Sequence, residues 1–276
     1  MTRVHEPGTV EEAVHLLERL GDDGAVLAGG TWVMRAALRD EALRPDYVSL
    51  RRIDALRGVT RIDRELRIGA LETHVDIGGL DDGAGPVGAL AEAARRSAFP
   101  AVRNVATLGG NLAAPFPEAD LVPPLLAAEA EVEVARPGGT ETVDVASWLS
   151  NRRRADALVV AIRVPVPAAR RAWFERLTVR AGAEYSLVSV AVSVDLADDV
   201  VTAARLAVGA VEPAPTRVAA AEAALIGRPL ERGSAEEAGR AAAHALTARE
   251  GLDAPGWYRL AVLPALIRRA VERLRD

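Results

Sequence analysis

A chain of 276 residues, half of them hydrophobic, is long enough for one large or two to three small domains with real cores. Its 34 basic and 39 acidic residues are interspersed for a formal net charge of −5, which excludes the single-sign field that nucleic acid or an anionic membrane surface would require. With no cysteine the chain forms no disulfide and ligates no iron–sulfur cluster or thiolate zinc, and with no lysine it has neither a Walker-type phosphate loop nor Schiff-base chemistry.

In chain order, Thr9 followed by Glu12 is a capping box, and Val10, Ala13, Val14 and Leu17 repeat at helical spacing, which predicts an amphipathic helix over 10–20. GDDG stops it, AVLA reads as a short buried strand, and helical spacing resumes at Trp32 after a glycine pair. YVSL and RELRIGAL read as strands, and Thr73 with Asp76 caps a short helix. GGLDDGAGP is a solvated loop without the ladder of a calcium site, and VGALAEAARRSA is helical. FPAVRNVATLGGNLA carries a second glycine turn, and DLVPPLLAAEAEVEVA passes from a Pro-punctuated helix into a strand of period two. VPVPAARRA is a junction, because residues before proline are pushed out of the helical region. Beyond it WFERLTVR, SLVSVAVSVDLA and VTAARLAVGAV read as antiparallel strands. Helices within TRVAAAEAALIG, SAEEAGRAAAHALTA and GWYRLAVLPALIRRAVERL close the chain. The N-terminus lacks the apolar run of a secretory leader and ALVVAIRVPVP is too short to span a bilayer, so a cytoplasmic protein is expected.

Two stretches can carry chemistry. In VLAGGTWVMRAALRD, residues 26–40, Val26, Leu27 and Ala28 run into Gly29, Gly30, Thr31 and Trp32. Glycines there let the backbone approach a ligand, and the amide groups that follow suit a phosphate. A Rossmann fingerprint is excluded, since Met34 stands where its last glycine would fall. In ATLGGNLAAPFPEADL, Thr107, Gly109, Gly110 and Asn111 offer a hydroxyl, close backbone approach and an amide, with Asp120 following. Two such turns suit the two ends of one diphosphate. His5, His15, His74 and His244 lack metal-ligand spacing, and His74 reads as a helix-start residue.

These two stretches, with RIGALETHVDI, FERLTVRAGAEYSLVSVAV and LDAPGWYRLAVLPALIRRAVERL, resemble the FAD-binding medium subunit of molybdenum hydroxylases, the carbon monoxide dehydrogenase and xanthine dehydrogenase family. The resemblance is collinear over nearly the whole chain. It implies an α+β fold, with a two-lobed vanillyl-alcohol-oxidase-like (PCMH-type) FAD-binding domain over 1–168 (lobes about 1–55 and 56–168) and a smaller α+β domain over 169–276. It also implies that the FAD diphosphate lies between Ala28–Thr31 and Thr107–Asn111, that Asp120 accepts hydrogen bonds in the cofactor site, and that Val159 and Tyr185 lie near the flavin ring.

The chain departs from the family pattern at Trp32, where a small or acidic residue is common, and at Arg176, where many relatives carry lysine. Arg176 and Tyr185 are the implied flavin-tuning residues, and no residue of the chain is implied as a catalytic acid or base. The molybdenum cofactor and 2Fe-2S clusters are implied on a large and a small partner subunit, with NAD, oxygen or a quinone as external acceptor. A stand-alone flavin oxidoreductase and an assembly subunit that has lost FAD are the other readings open to the sequence.

Overall fold

The computed structural model describes residues 2–80, 83–151, 157–180 and 185–275. Strand β1 (Arg3–His5) leads into α1 (Val10–Leu20), whose N-cap Thr9 accepts from the Glu12 amide at 3.1 Å. The Glu12 carboxylate reaches back one residue further than a capping box requires, to the Gly8 amide at 2.8 Å. There follow β2 (Gly24–Leu27), β3 (Asp46–Ser49), β4 (Val59–Ile62), β5 (Glu65–Gly69), α2 (His74–Gly78), α3 (Pro86–Arg96), α4 (Pro100–Arg103), α5 (Leu108–Ala113) and α6 (Val122–Ala128). The chain continues through β6 (Glu131–Arg136), β7 (Gly139–Asp144), α7 (Val145–Asn151), β8 (Leu158–Pro165), β9 (Arg170–Thr178), β10 (Ser186–Ala197), β11 (Val200–Gly209) and β12 (Thr216–Arg217). Helices α8 (Ala219–Leu225), α9 (Arg232–Ala245) and α10 (Gly256–Arg273) end it. Asp81 and Asp82 of the acidic loop lie outside the described residues.

The chain forms two compact units, 1–76 with 100–114 and 131–163, and 77–99 with 115–130 and 164–276. The first unit holds a parallel three-stranded sheet in the order β1-β3-β2 and a five-stranded sheet in the order β4-β5-β8-β6-β7. The apolar stripe of α1 explains their union: Ala13, Val14 and Leu17 join Val48 of β3 and Leu50 just beyond it with Ala135, Leu158 and Val160 of the larger sheet in one core. On that sheet Glu133 accepts from Arg67 and Arg163, each at 2.7 Å. Burial opposes its charge, but the two guanidinium bonds win and hold the carboxyl below the usual range. Strand β2, predicted to be buried, is half-exposed because it is the edge of its sheet.

The second unit is built on the antiparallel sheet β12-β11-β10-β9. Alternation along β10 sets its two sides. Val188, Val190, Val192 and Val194 enter one core with Leu263, Leu266, Ile267, Ala270 and Val271 of α10. Between them fall the small residues Ser189, Ala191 and Ser193. Gly209 of β11 lets α6 come close, since a Cβ there would sit 2.9 Å from Pro123. Gly239 does the same for α9 and α10, where a Cβ would meet Pro264 Cα at 2.7 Å. Among the described residues no helix is long and apolar enough to cross a membrane.

Candidate functional site

In the first unit, β2 delivers Ala28 to a turn in which Gly30 adopts φ +72° and its carbonyl accepts from the Met34 amide at 2.8 Å. The expected helix after the glycine pair is a 3-10 helix over Val33–Arg39, not an α-helix; only Ala36 of it is buried, so no apolar stripe holds it in α form. Gly29 is required by contact: a Cβ on it would fall 1.8 Å from the Val105 carbonyl oxygen and 3.1 Å from Ala106 Cα. The first glycine turn therefore abuts the strand of chain that leads into Thr107.

Among the described residues, the backbone N–H groups of Gly29, Gly30 and Thr31 donate to no protein acceptor. Consecutive free amides beside a left-handed glycine are the kind of backbone from which an anion-binding nest can be built. Val26 and Leu27, half-buried on β2, and Ala28 set the direction from which the turn begins.

The second motif is put together differently from the expectation. Gly109 and Gly110 lie in the first turn of α5, not in a loop, with Thr107 as N-cap accepting from Gly110 N at 3.2 Å. Its amides are engaged: Leu108 donates to Glu72 O, Gly109 to Ala70 O and Asn111 to Thr107 O, each at 2.9 Å. A Cβ on Gly109 would meet Ala70 Cβ at 2.8 Å. Gly109 serves close packing, and of the two motifs it is the first turn that carries the free amides among the described residues. Ala70 in turn donates to Val160 O at 2.9 Å, which ties the motif to β8 beside Val159. Val159 is buried and lies opposite Val134 of β6. His74, the helix-start residue, donates its amide to Ala106 O at 2.9 Å. Burial, aided by Arg103, lowers its imidazole pKa to about 4 and keeps the ring neutral.

Trp32 is half-buried and covered on its ring by Arg39, whose guanidinium carbon lies 3.7 Å from the ring centroid.

In the second unit Asp120 and Arg176 meet as a buried pair, Nη1 to Oδ2 at 3.0 Å. Ser186 Oγ donates to Asp120 Oδ1 at 2.6 Å, and Arg176 also donates to the Arg96 carbonyl. Arg96 is held by Glu175 at 2.9 Å. Burial pushes the Asp120 carboxyl above its usual range against the pull of Arg176, Ser186 and Arg96. Burial likewise lowers Arg176, with Asp120 opposing and Arg96 adding to the effect. Desolvation thus outweighs attraction on both sides of the pair. Tyr185 is half exposed and edge-on to Phe116, with ring centroids 6.0 Å apart. Among the described residues no cluster of His, Asp or Glu could hold a metal.

The model of the FAD binding domain in molybdopterin dehydrogenase matches residues 1–167, and that of the CO dehydrogenase flavoprotein C-terminal domain matches 174–274. The chain belongs to the FAD-binding medium subunits of molybdenum hydroxylases. It is 28% identical to the carbon monoxide dehydrogenase medium chain of Hydrogenophaga pseudoflava over 97% of this chain and 94% of that one. It is also 28% identical to the nicotine 6-hydroxylase medium subunit of Paenarthrobacter nicotinovorans, over 98% of this chain and 95% of that one. A structure of carbon monoxide dehydrogenase from Hydrogenophaga pseudoflava, lacking the Mo-pyranopterin moiety of its cofactor, superimposes with a TM-score of 0.93. Identity there is 30%, over 99% of this chain and 97% of that one. As a medium subunit the chain is the FAD-binding part of an oxidoreductase, and the free amides of Gly29 to Thr31 fit the phosphates of that cofactor.

Ser186, Arg96 and Arg39 have no signal in the sequence. All 34 basic residues are arginine, so the ones that anchor a carboxylate or a ring look like every other.

Proposed function

We propose that this medium subunit binds FAD by its pyrophosphate on the turn Gly29–Thr31 and works as the electron relay of a molybdenum hydroxylase. The observation that carries this reading is the run of three free amides beside Gly30 at φ +72°. Thr107 and Asn111 offer a hydroxyl and an amide from the neighbouring motif. Gly109 keeps that motif close-packed, Gly110 answers the Thr107 cap, and Val159 is the apolar residue assigned to the ring. Trp32, after the turn, supplies an aromatic face. In the second unit Arg176 and Tyr185 are assigned to flavin tuning. Asp120, with its oxygens engaged by Ser186 and Arg176, is assigned to holding that cation in place rather than to direct contact.

Bound FAD would supply the redox chemistry, taking electrons from 2Fe-2S clusters on a small subunit and passing them to NAD, oxygen or a quinone. The clusters and the molybdenum cofactor of a large subunit belong to partner chains, since this chain offers no thiolate. The protein's own work is to bind, orient and charge-tune, which is why no acid–base dyad is needed.

The test is to isolate the tagged chain from its native host and measure flavin, iron and molybdenum in what copurifies. The complex is then titrated anaerobically with reductant. The relay reading expects all three in fixed ratio, with flavin absorbance bleaching together with that of the clusters. A chain recovered alone with FAD would contradict the relay role and favour a stand-alone flavoprotein.

A further inference from the structure

Trp32 directly follows the free amides, and Arg39 folds back over it from seven residues on. The guanidinium carbon sits 3.7 Å from the indole centroid while Nη1 donates to the Trp32 carbonyl at 3.1 Å. The other end of the fork is held by Glu41, Nη2 to Oε2 at 2.6 Å. Asp40, at φ 53°, makes the reversal that brings Glu41 into reach, and the Glu41 amide is tied to Ala36 O at 3.0 Å. The loop from Trp32 to Glu41 is therefore closed on itself.

The ring and the carbonyl are the two branches that leave the Trp32 Cα, and Arg39 holds both. The carbonyl bond holds the Trp32 ψ rotation and the ring contact holds its side chain, so the Trp32 Cα, from which the peptide to Thr31 departs, is anchored in place. Glu41 meanwhile balances the Arg39 charge, so the guanidinium is committed to the loop. We infer that Arg39 is a positioning residue for the diphosphate ligand of this turn. Through Trp32 it holds the Gly29–Thr31 amides in their receiving orientation without touching the ligand. This rests on the FAD reading above. It also gives Trp32, the departure from the family pattern, a partner that makes use of its bulk. Lysine could not take over unchanged, because only a planar fork can stack on the ring, donate to the carbonyl and pair with the carboxylate at once.

The experiment titrates the full chain and its Arg39→Ala, Arg39→Lys and Trp32→Phe variants with FAD, with ADP and with riboflavin. Binding is read by flavin fluorescence and calorimetry, and the state of the indole by the near-ultraviolet dichroism that Trp32→Phe removes. Loss of a ring contact and a carbonyl bond should weaken FAD and ADP about tenfold in Arg39→Ala. The same variant should lose the Trp32 dichroism and leave riboflavin, which has no phosphate, unaltered. Arg39→Lys should recover part of both affinities. Wild-type affinity for FAD and ADP in Arg39→Ala overturns the inference while the FAD reading stands. An equal loss for riboflavin also overturns it, by showing general loosening. No FAD uptake by any of the four proteins overturns the cofactor reading and this inference with it.

Discussion

Gly29→Ala is expected to abolish FAD uptake by the full chain. The added Cβ would fall 1.8 Å from the Val105 carbonyl oxygen and 2.7 Å from its carbon, atoms of backbone that no side-chain rotation can move aside. Relief requires the turn and the 105–106 segment to part, and that segment accepts the His74 amide through Ala106 O at 2.9 Å. Overpacking of a close-packed site costs about 1–3 kcal/mol, and more where backbone must shift. Since the shift acts on the amides assigned to the pyrophosphate, affinity should fall by at least about a hundredfold. Gly110→Ala is the internal comparison. Its Cβ would meet only Thr107 Oγ1 at 2.8 Å, a hydroxyl that can rotate at the cost of one cap, about 1 kcal/mol. Flavin fluorescence titration with urea unfolding of both variants checks the contrast, and equal FAD affinity in Gly29→Ala and wild type would refute it.

The second large effect concerns the buried pair of the other unit. Arg176→Met and Asp120→Leu should each destabilise the protein by about 3–5 kcal/mol, because each strands its partner's charge away from water. Asp120→Leu is the harsher of the two, leaving Arg176 beside the cation of Arg96 with no carboxylate at Oδ2 to answer it. The double variant should be less damaged than either single one, since it removes both desolvation costs together. Urea unfolding of the cycle measures this. Additive losses in the double variant would show that the two groups do not act as a pair. FAD content measured on the same proteins separates the tuning role of Arg176 from its part in stability.

How much of this was legible beforehand depended on whether the signal was local. The helix after Thr9 was readable because cap and apolar stripe coincide in one short segment, and β10 because valines and small residues alternate along it. The strands β4 and β7 carry no readable alternation because nearly all their residues face water, so each is decided by the hairpin partner it pairs with, β5 and β6. Strand β1, three residues long, is fixed by its parallel partner β3. The two glycine pairs look alike as sequence, yet one forms an open turn and the other the first turn of a capped helix. What separates them is Ala70 and Val105, the backbones against which they pack, and neither is near its glycine in the chain. The family resemblance located both motifs; it did not say which one carries free amides.

The most direct test of the assigned phosphate site is amide hydrogen exchange at single residues, followed by NMR on the full isotope-labelled chain with and without saturating FAD. Gly29, Gly30 and Thr31 should exchange rapidly in the free protein and become protected when FAD binds, while Gly109 and Asn111 are protected in both states by Ala70 and Thr107. Unchanged exchange at Gly29, Gly30 and Thr31 in the saturated protein would contradict the assignment and place the pyrophosphate elsewhere.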